Sequence, residues 1–496
     1  MGDLQSTNRV ALGKVRETTF GVIPANPVFK QILQTSSGIK ATPKTKTSNV
    51  IDPSRQVRDL ILVGIDAGGA IGGELAFNGA DDDFEEALQG TWSNNPAITV
   101  ATIDTEISDV SATALTVAAG GAAFVVGALT LLQNMPTASN NKLARVTAST
   151  AVSITYPAAT FTAETAPIPV GASVRTVGFE GAAGDVTAVT AGGNGLSSTV
   201  LDFTTLGISV GEWVKLGDAD NAGHSFTGTA ANNDWCRVSA IAAHKLSFDR
   251  VPAGWAADAA AGVTLRVFTG DILFNGSTKR SNTIERQYLD HAPVTYEYLR
   301  GMTINTLQVD LNTQDVVTYT KNYLGRDAYL PAPMVRATGA TDLPASTFDV
   351  LNTSSNIGRI GFDGSPIAGP NFVLKASFTI NDNLRAQNAI GSVGAVGTGN
   401  GDCLVTGTLQ TYFGDPSIYQ KIINNTRTSF DTRVGRADGN RESMLFDFPS
   451  IKLSDGAPSV SGKNADVILD GQFTATRHPT LGYTMSVGRF WYLPTS

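Results

Sequence analysis

The sequence predicts a mainly β protein made of two related domains, the first of them interrupted by two tandem small β-barrels or sandwiches. Three observations carry this reading. Small and β-branched residues dominate: 51 Gly against 6 Met and only 16% charged residues favour strands and turns over helical bundles. Apolar and polar residues alternate with a period of two, most clearly over residues 278–325. The order of elements before and after a central insertion recurs in the last third of the chain. At 496 residues the chain exceeds one ordinary core, so several domains are expected.

Residues 1–37 are polar and interrupted by Pro24 and Pro27, and they read as an arm. Strands follow over residues 40–50 and 56–64. Gly68, Gly69, Gly72 and Gly73 superficially resemble a dinucleotide-binding turn, but no helix opens after them, so they read as a flexible loop between strands. Asp81, Asp82 and Asp83 precede Phe84 and Leu88 and predict a helix start, the acids stabilising its free amides.

The composition then shifts to Ala, Gly, Thr and Val, and an internal repeat emerges. Val126-Gly127 answers Val210-Gly211, Asn140-Asn141 answers Asn232-Asn233, and Arg145-Val146 answers Arg237-Val238. Two units of roughly 80 residues, at 108–190 and 191–270, are expected as small β domains. Trp213, Trp235 and Trp255 fall in the second unit, where core packing is a better account than a sugar-binding surface.

Residues 271–330 complete the first domain, begun at 38–107. Met302 and Ile304 share one parity while Leu307, Val309 and Leu311 take the other, which predicts a bulge near Asn305-Thr306. After a polar turn, Val317, Tyr319, Lys321 and Tyr323 return as the second arm of a long hairpin. Residues 334–496 repeat the plan: strands at 372–380 and 402–413, a helix after Asp415-Pro416-Ser417, and a second long hairpin at 466–491 turning at Pro479 to Gly482.

The segment TKRSNTIERQYLDHAPVTYEYLRGMTIN, with its Ile284-Glu285 pair, Tyr296, Gly301 and Asn305, closely resembles the major tail tube proteins of long-tailed, non-contractile (siphovirus-type) bacteriophages. The resemblance is clearest over residues 271–325 and 402–492. It implies two tail-tube-type β-sandwich domains, each with a flanking helix, whose sheets join into the inner barrel of a hollow ring. The candidate lumen-lining and ring-forming hairpins carry Met302, Ile304, Leu307, Val309, Val317 and Tyr319 in the first domain, and Val467, Leu469, Phe473, Tyr483, Met485 and Val487 in the second. With two domains per chain, a trimeric pseudo-sixfold ring is expected, with a hexamer as the alternative. Further implied partners are tape-measure and tail-terminator or tip proteins, and double-stranded DNA in transit without specific binding. The implied location is the virion tail, after synthesis and assembly in the host cytoplasm.

The net charge of −8 argues against a protein that grips DNA phosphates. No run of about 18 apolar residues offers a membrane span, and the N-terminus lacks the apolar core of a signal peptide. Cys236 and Cys403 are expected as reduced, buried thiols. His224, His244, His291 and His478 are scattered without metal-ligand spacing, and there is no nucleophile elbow or phosphate loop, so no enzyme, cofactor or metal is expected. The competing class is a tail-associated adhesin or capsid-decorating protein whose tandem barrels bind host-surface carbohydrate.

Overall fold

Eight antiparallel strands form one continuous run through the molecule, a computed structural model that describes residues 4–165, 167–367 and 369–495. In chain order they are β1 (Lys40–Thr47), β2 (Leu60–Glu74), β3 (Thr295–Asn312), β4 (Thr318–Gly325), β5 (Val373–Asn381), β6 (Leu404–Tyr412), β7 (Ser443–Asp455) and β8 (Ile468–Ala475). In space they run β1-β2-β4-β3-β5-β6-β8-β7. The second four strands repeat the order of the first four. Helix α1 (Asp81–Ala87) follows β2, and helix α2 (Ser417–Ile423) follows β6 in the same way.

A second layer completes each β-sandwich. In the first domain Val10–Arg16 pairs with Asn282–Tyr288, which pairs with the start of β3. In the second, Ile357–Phe362 pairs with Arg427–Gly435, which pairs with the start of β7. β3 and β7 thus each serve both layers. The bulge predicted near Asn305-Thr306 is present, with the register shifting between Ile304 and Thr306, and β7 has its counterpart between Leu453 and Asp455. The extra residue switches the buried parity, so Met302, Ile304, Leu307, Val309 and Leu311 are all buried on one long strand. One apolar cluster, from Leu12 to Val487, runs through both sandwiches.

Several sequence expectations need correction. The arm expected at residues 1–37 is, over its described residues from 4 on, built into the first sandwich, because Val10–Arg16 is a full ladder partner of Asn282–Tyr288 and Phe29 is buried. The four glycines at 68–73 lie within β2 rather than in a loop. They are there because other groups come close: a Cβ at Gly73 would meet the Tyr319 ring at 2.9 Å. The second hairpin is β7–β8, not residues 466–491. β8 pairs with β6 and β7, while Ser486–Phe490 crosses to the other layer and pairs with β7 and Asp271–Phe274. Asp271–Phe274 therefore belongs to the second sandwich. Cys403 is exposed, and only Cys236 is buried.

The insertion starts earlier than residue 108, since Ala97–Thr99 pairs with Ser173–Glu180 and Val100 joins the inserted core. Its two cores separate near Gly178 rather than at 190, because Phe179, Val186 and Ala188 pack in the second core. The internal repeat is reproduced at its turns. Gly127 and Gly211 both have left-handed backbones, at φ 88° and 95°. The buried Asn140 amide bonds the Thr162 backbone at 2.8 and 2.9 Å, and Asn232 bonds the Ala256 backbone at 2.8 and 3.1 Å. Trp213 and Trp235 are core residues of a further cluster, in which the insertion docks on Leu445, Phe490 and Leu493 of the second sandwich.

Helix α1 is buried, and its acids do not cap it: the N-cap is Ala80, with no side-chain cap bond. They meet cations from distant segments instead. Asp83 pairs with Lys14 and, at 2.6 Å, with Lys321; Asp82 pairs with Lys30 at 2.7 Å and Glu85 with Arg16 at 2.6 Å. Arg489 joins Asp81 to Asp271, the latter at 2.6 Å. Burial would raise the Asp83 pKa, but Lys14 and Lys321 outweigh it and hold it at about 2. Glu86 has no such pair among the described residues. It accepts bonds from the Ile304 amide at 2.7 Å and the Asn282 amide at 2.6 Å, and burial pushes its pKa up to about 7.

A carboxyl whose folded pKa lies above its unfolded value holds its proton more tightly in the native state, so its contribution falls as pH rises from about 4.5 to about 7. Glu86→Gln keeps an acceptor for Ile304 and removes the ionisation. Urea denaturation is expected to show the variant more stable than wild type at pH 8, by upward of about 1 kcal/mol, with the gap closing near pH 4.

Candidate functional site

The eight-strand run has one face packed on the core and one face open. Of the twelve residues named from sequence, eleven are buried and none lies on the open face of the run. Met302, Ile304, Leu307, Val309, Val317, Tyr319, Leu469, Phe473, Met485 and Val487 are brought together in the shared apolar core. Tyr483 is buried apart from that cluster, its hydroxyl donating to the Gly211 carbonyl and the Asp447 carboxylate, both at 2.9 Å. Val467 is half-buried just before β8.

The intervening residues carry the open face. On the central strands these are Thr306, Gln308 and Asp310 of β3, Thr318, Thr320 and Asn322 of β4, Lys375, Ser377 and Thr379 of β5, Thr406, Thr408 and Gln410 of β6, and Asp470, Gln472 and Thr474 of β8. Hydroxyls and amides predominate, and the few charges have both signs. The signal was available in the sequence, since strict alternation places the polar partner of each apolar residue on the opposite face.

The two halves meet at the β3–β5 seam, an unbroken antiparallel ladder from Thr306↔Asn381 to Asn312↔Lys375. The repeats on either side of it correspond residue for residue. β4 starts with Thr318↔Glu74 against β2, and β8 starts with Ile468↔Tyr412 against β6, so β4 and β8 match along their whole length. Ile304 faces Tyr323 as Leu453 faces Phe473. Beyond the β7 bulge the strand continues, with Pro458↔Leu469 and Ser459↔Ile468 against β8.

This correspondence leaves two open edges. Residues 455–461 occupy the place that Thr306 to Asn312 hold in the seam, but no strand covers their outer side among the described residues, and Val460 is exposed. At the other end of the run, residues 36–42 occupy the place of Lys375 to Asn381; Ser36–Ser37 and β1 pair with β2 on their inner side, no strand covers their outer side among the described residues, and the Ile39 carbonyl accepts from Arg286 at 2.5 Å. An open cleft of about 850 Å³ lies alongside this edge, lined by Gln34, Ser36, Gly38 and Lys40. The tips of β1 and β2 project beyond the core as a two-stranded ribbon in which Leu60, Ile61, Leu62 and Val63 are all exposed.

A family model described as phage tail tube protein matches residues 7–197 and 216–475, most of the chain. No curated protein matches it.

The two faces of β3 are separated by a simple pair of substitutions. Leu307→Ala, which empties a fully buried position, is expected to cost about 2–5 kcal/mol. Gln308→Ala, on the open face, is expected to stay within about 0.5 kcal/mol of wild type, both read from urea denaturation midpoints.

Proposed function

This chain belongs to the phage tail tube protein family, and we propose that its copies close into a ring by repeating between chains the strand pairing that already joins its own two halves. It is a structural protein of the virion tail that self-assembles into a tube and contacts other tail proteins. The observation that carries the ring reading is the β3–β5 seam, an intrachain joint whose two mating edges both recur unpaired at the ends of the run.

Copying the seam register onto the open edges pairs Asp455 with Thr42 of a second copy, Ala457 with Lys40 and Ser459 with Gly38, antiparallel. Unpaired edges are ordinarily an aggregation hazard, and closing them around a ring removes both. If six repeats complete a turn, three chains suffice and the ring is a pseudo-sixfold trimer. A hexamer of twelve repeats is the competing outcome.

In this ring the open face lines the channel. Its hydroxyls and amides offer duplex DNA neither a row of cations to bind phosphate nor an apolar surface to stall it. DNA then passes to the host at ejection without specific contacts, and the channel houses a tape-measure protein before that, with terminator and tip proteins at the ends. The insertion, docked on the other layer, faces outward. The β1–β2 ribbon supports stacking of rings. Two strands alone are marginally stable in water, and an exposed apolar ribbon of this kind gains most by lying on an adjacent ring.

The register has a direct test. In a Cys403→Ser background, Gly38→Cys with Ser459→Cys is expected to form interchain disulfides on oxidation, so that denaturing gels without reductant show a closed species of three chains, or six for the larger ring. A sample that stays monomeric while still assembling would overturn the register. Electron microscopy of the full-length protein is expected to show hollow tubes with an axial repeat, and deletion of residues 48–59 is expected to leave rings that do not stack.

A further inference from the structure

The joint between the second inserted domain and the second sandwich contains a cavity of about 300 Å³ that no part of the assembly reading uses. Lys215, Asp234 and Trp235 line it from the insertion, and Gly358, Arg359 and Arg433 from the sandwich. The cations there are unequal. Arg359 is spoken for, donating to the Asp431 carboxylate and, at 2.8 Å, to the Gly364 carbonyl.

Arg433 is not. It is only 8% exposed, yet it has no carboxylate within ion-pair distance among the described residues. One guanidinium nitrogen, Nη1, donates to the Ser443 hydroxyl at 3.0 Å, and Nε is buried without an acceptor. The Nε–Nη2 edge, the one that takes an oxyanion two-pronged, is therefore unused. The Trp235 ring lies 5.6 Å from the guanidinium carbon, and Gly358 packs against the guanidinium, which fills the space a Cβ there would need.

Lys215 is in a similar position. Its ammonium donates to the carbonyls of Asn233 at 2.6 Å and Leu216 at 3.4 Å, with no carboxylate in reach among the described residues. Burial lowers the Lys215 pKa, and burial together with the neighbouring Arg359 lowers that of Arg433 to about 10. Asp234, which lines the same cavity, attracts both cations, but neither has an ion-pair partner among the described residues, and an anion in the adjoining space offsets the cost of their burial.

We propose that this cavity binds a small tetrahedral oxyanion of the phosphate class, held between the free edge of Arg433 and the Lys215 ammonium, and that it thereby clamps the insertion to the sandwich. The inference is independent of ring formation and is tested on unassembled full-length chain.

The test is thermal unfolding and isothermal titration with inorganic phosphate, against chloride at matched ionic strength, with sulfate and acetate as further arms. Wild type is expected to show a saturable rise in Tm with phosphate and sulfate beyond that with chloride, and little with acetate. Arg433→Met is expected to abolish the response. Lys215→Met, which removes only the ammonium, is expected to weaken apparent phosphate affinity about tenfold, the size of one charge-assisted hydrogen bond, and it carries the test alone if the arginine variant does not fold. Equal responses to phosphate and chloride in wild type would overturn the proposal, as would a phosphate response unchanged in Lys215→Met.

Discussion

The ladder between β3 and β5 is the interaction on which the rest of this architecture depends. It joins strands from two sandwiches by main-chain hydrogen bonds and so makes a single sheet, over which one apolar core extends from Leu12 to Val487. Backbone pairing has no preference for side chains, which is why the same joint can serve inside one chain and between two. The specificity comes from elsewhere: the packed face fixes which parity points inward, and a one-residue slip would turn every apolar side chain of β3 outward.

Helix α1 shows how far the two repeats have diverged around that shared frame. Its acids pair with Lys14, Lys30, Lys321 and Arg489, cations supplied by the N-terminal segment, β4 and the C-terminal strand. Its counterpart α2 buries only Ile418 and carries no acid in its first turn. Buried ion pairs add little net stability over apolar packing, but removing one partner is severe. The arrangement therefore ties the N-terminal strand, β4 and the C-terminal strand to one place more than it strengthens the fold.

The sequence disclosed what depends on local periodicity. The parity change at Asn305, the β3–β4 hairpin and the duplicated inserted unit were legible because each is written in local spacing or local residue matches, and both helices were placed although the acids that signalled the first do not cap it. What depended on distant partners was not. The glycines of β2 read as a loop because the Tyr319 ring and the Tyr323 backbone that need their space are remote in sequence. Pro479 to Gly482 read as a hairpin tip because a turn's residues do not say which layer the chain enters next. The apolar residues of the hairpins, expected to line the lumen and form the ring, are mostly buried in the core, and the open face is displayed by their neighbours.

Carrying two repeats on one chain also changes how they come together and how they vary. The segment between β4 and β5 keeps the two mating strands at an effective concentration on the order of millimolar, so that joint closes as the chain folds and only its counterpart waits for collision. Duplicate surfaces on one polypeptide are likewise released from having to be identical: the outer layer of one half can acquire a platform such as the docked insertion while the other half keeps a different exterior. An alternating exterior of that kind is closed to an assembly built from single, identical repeats.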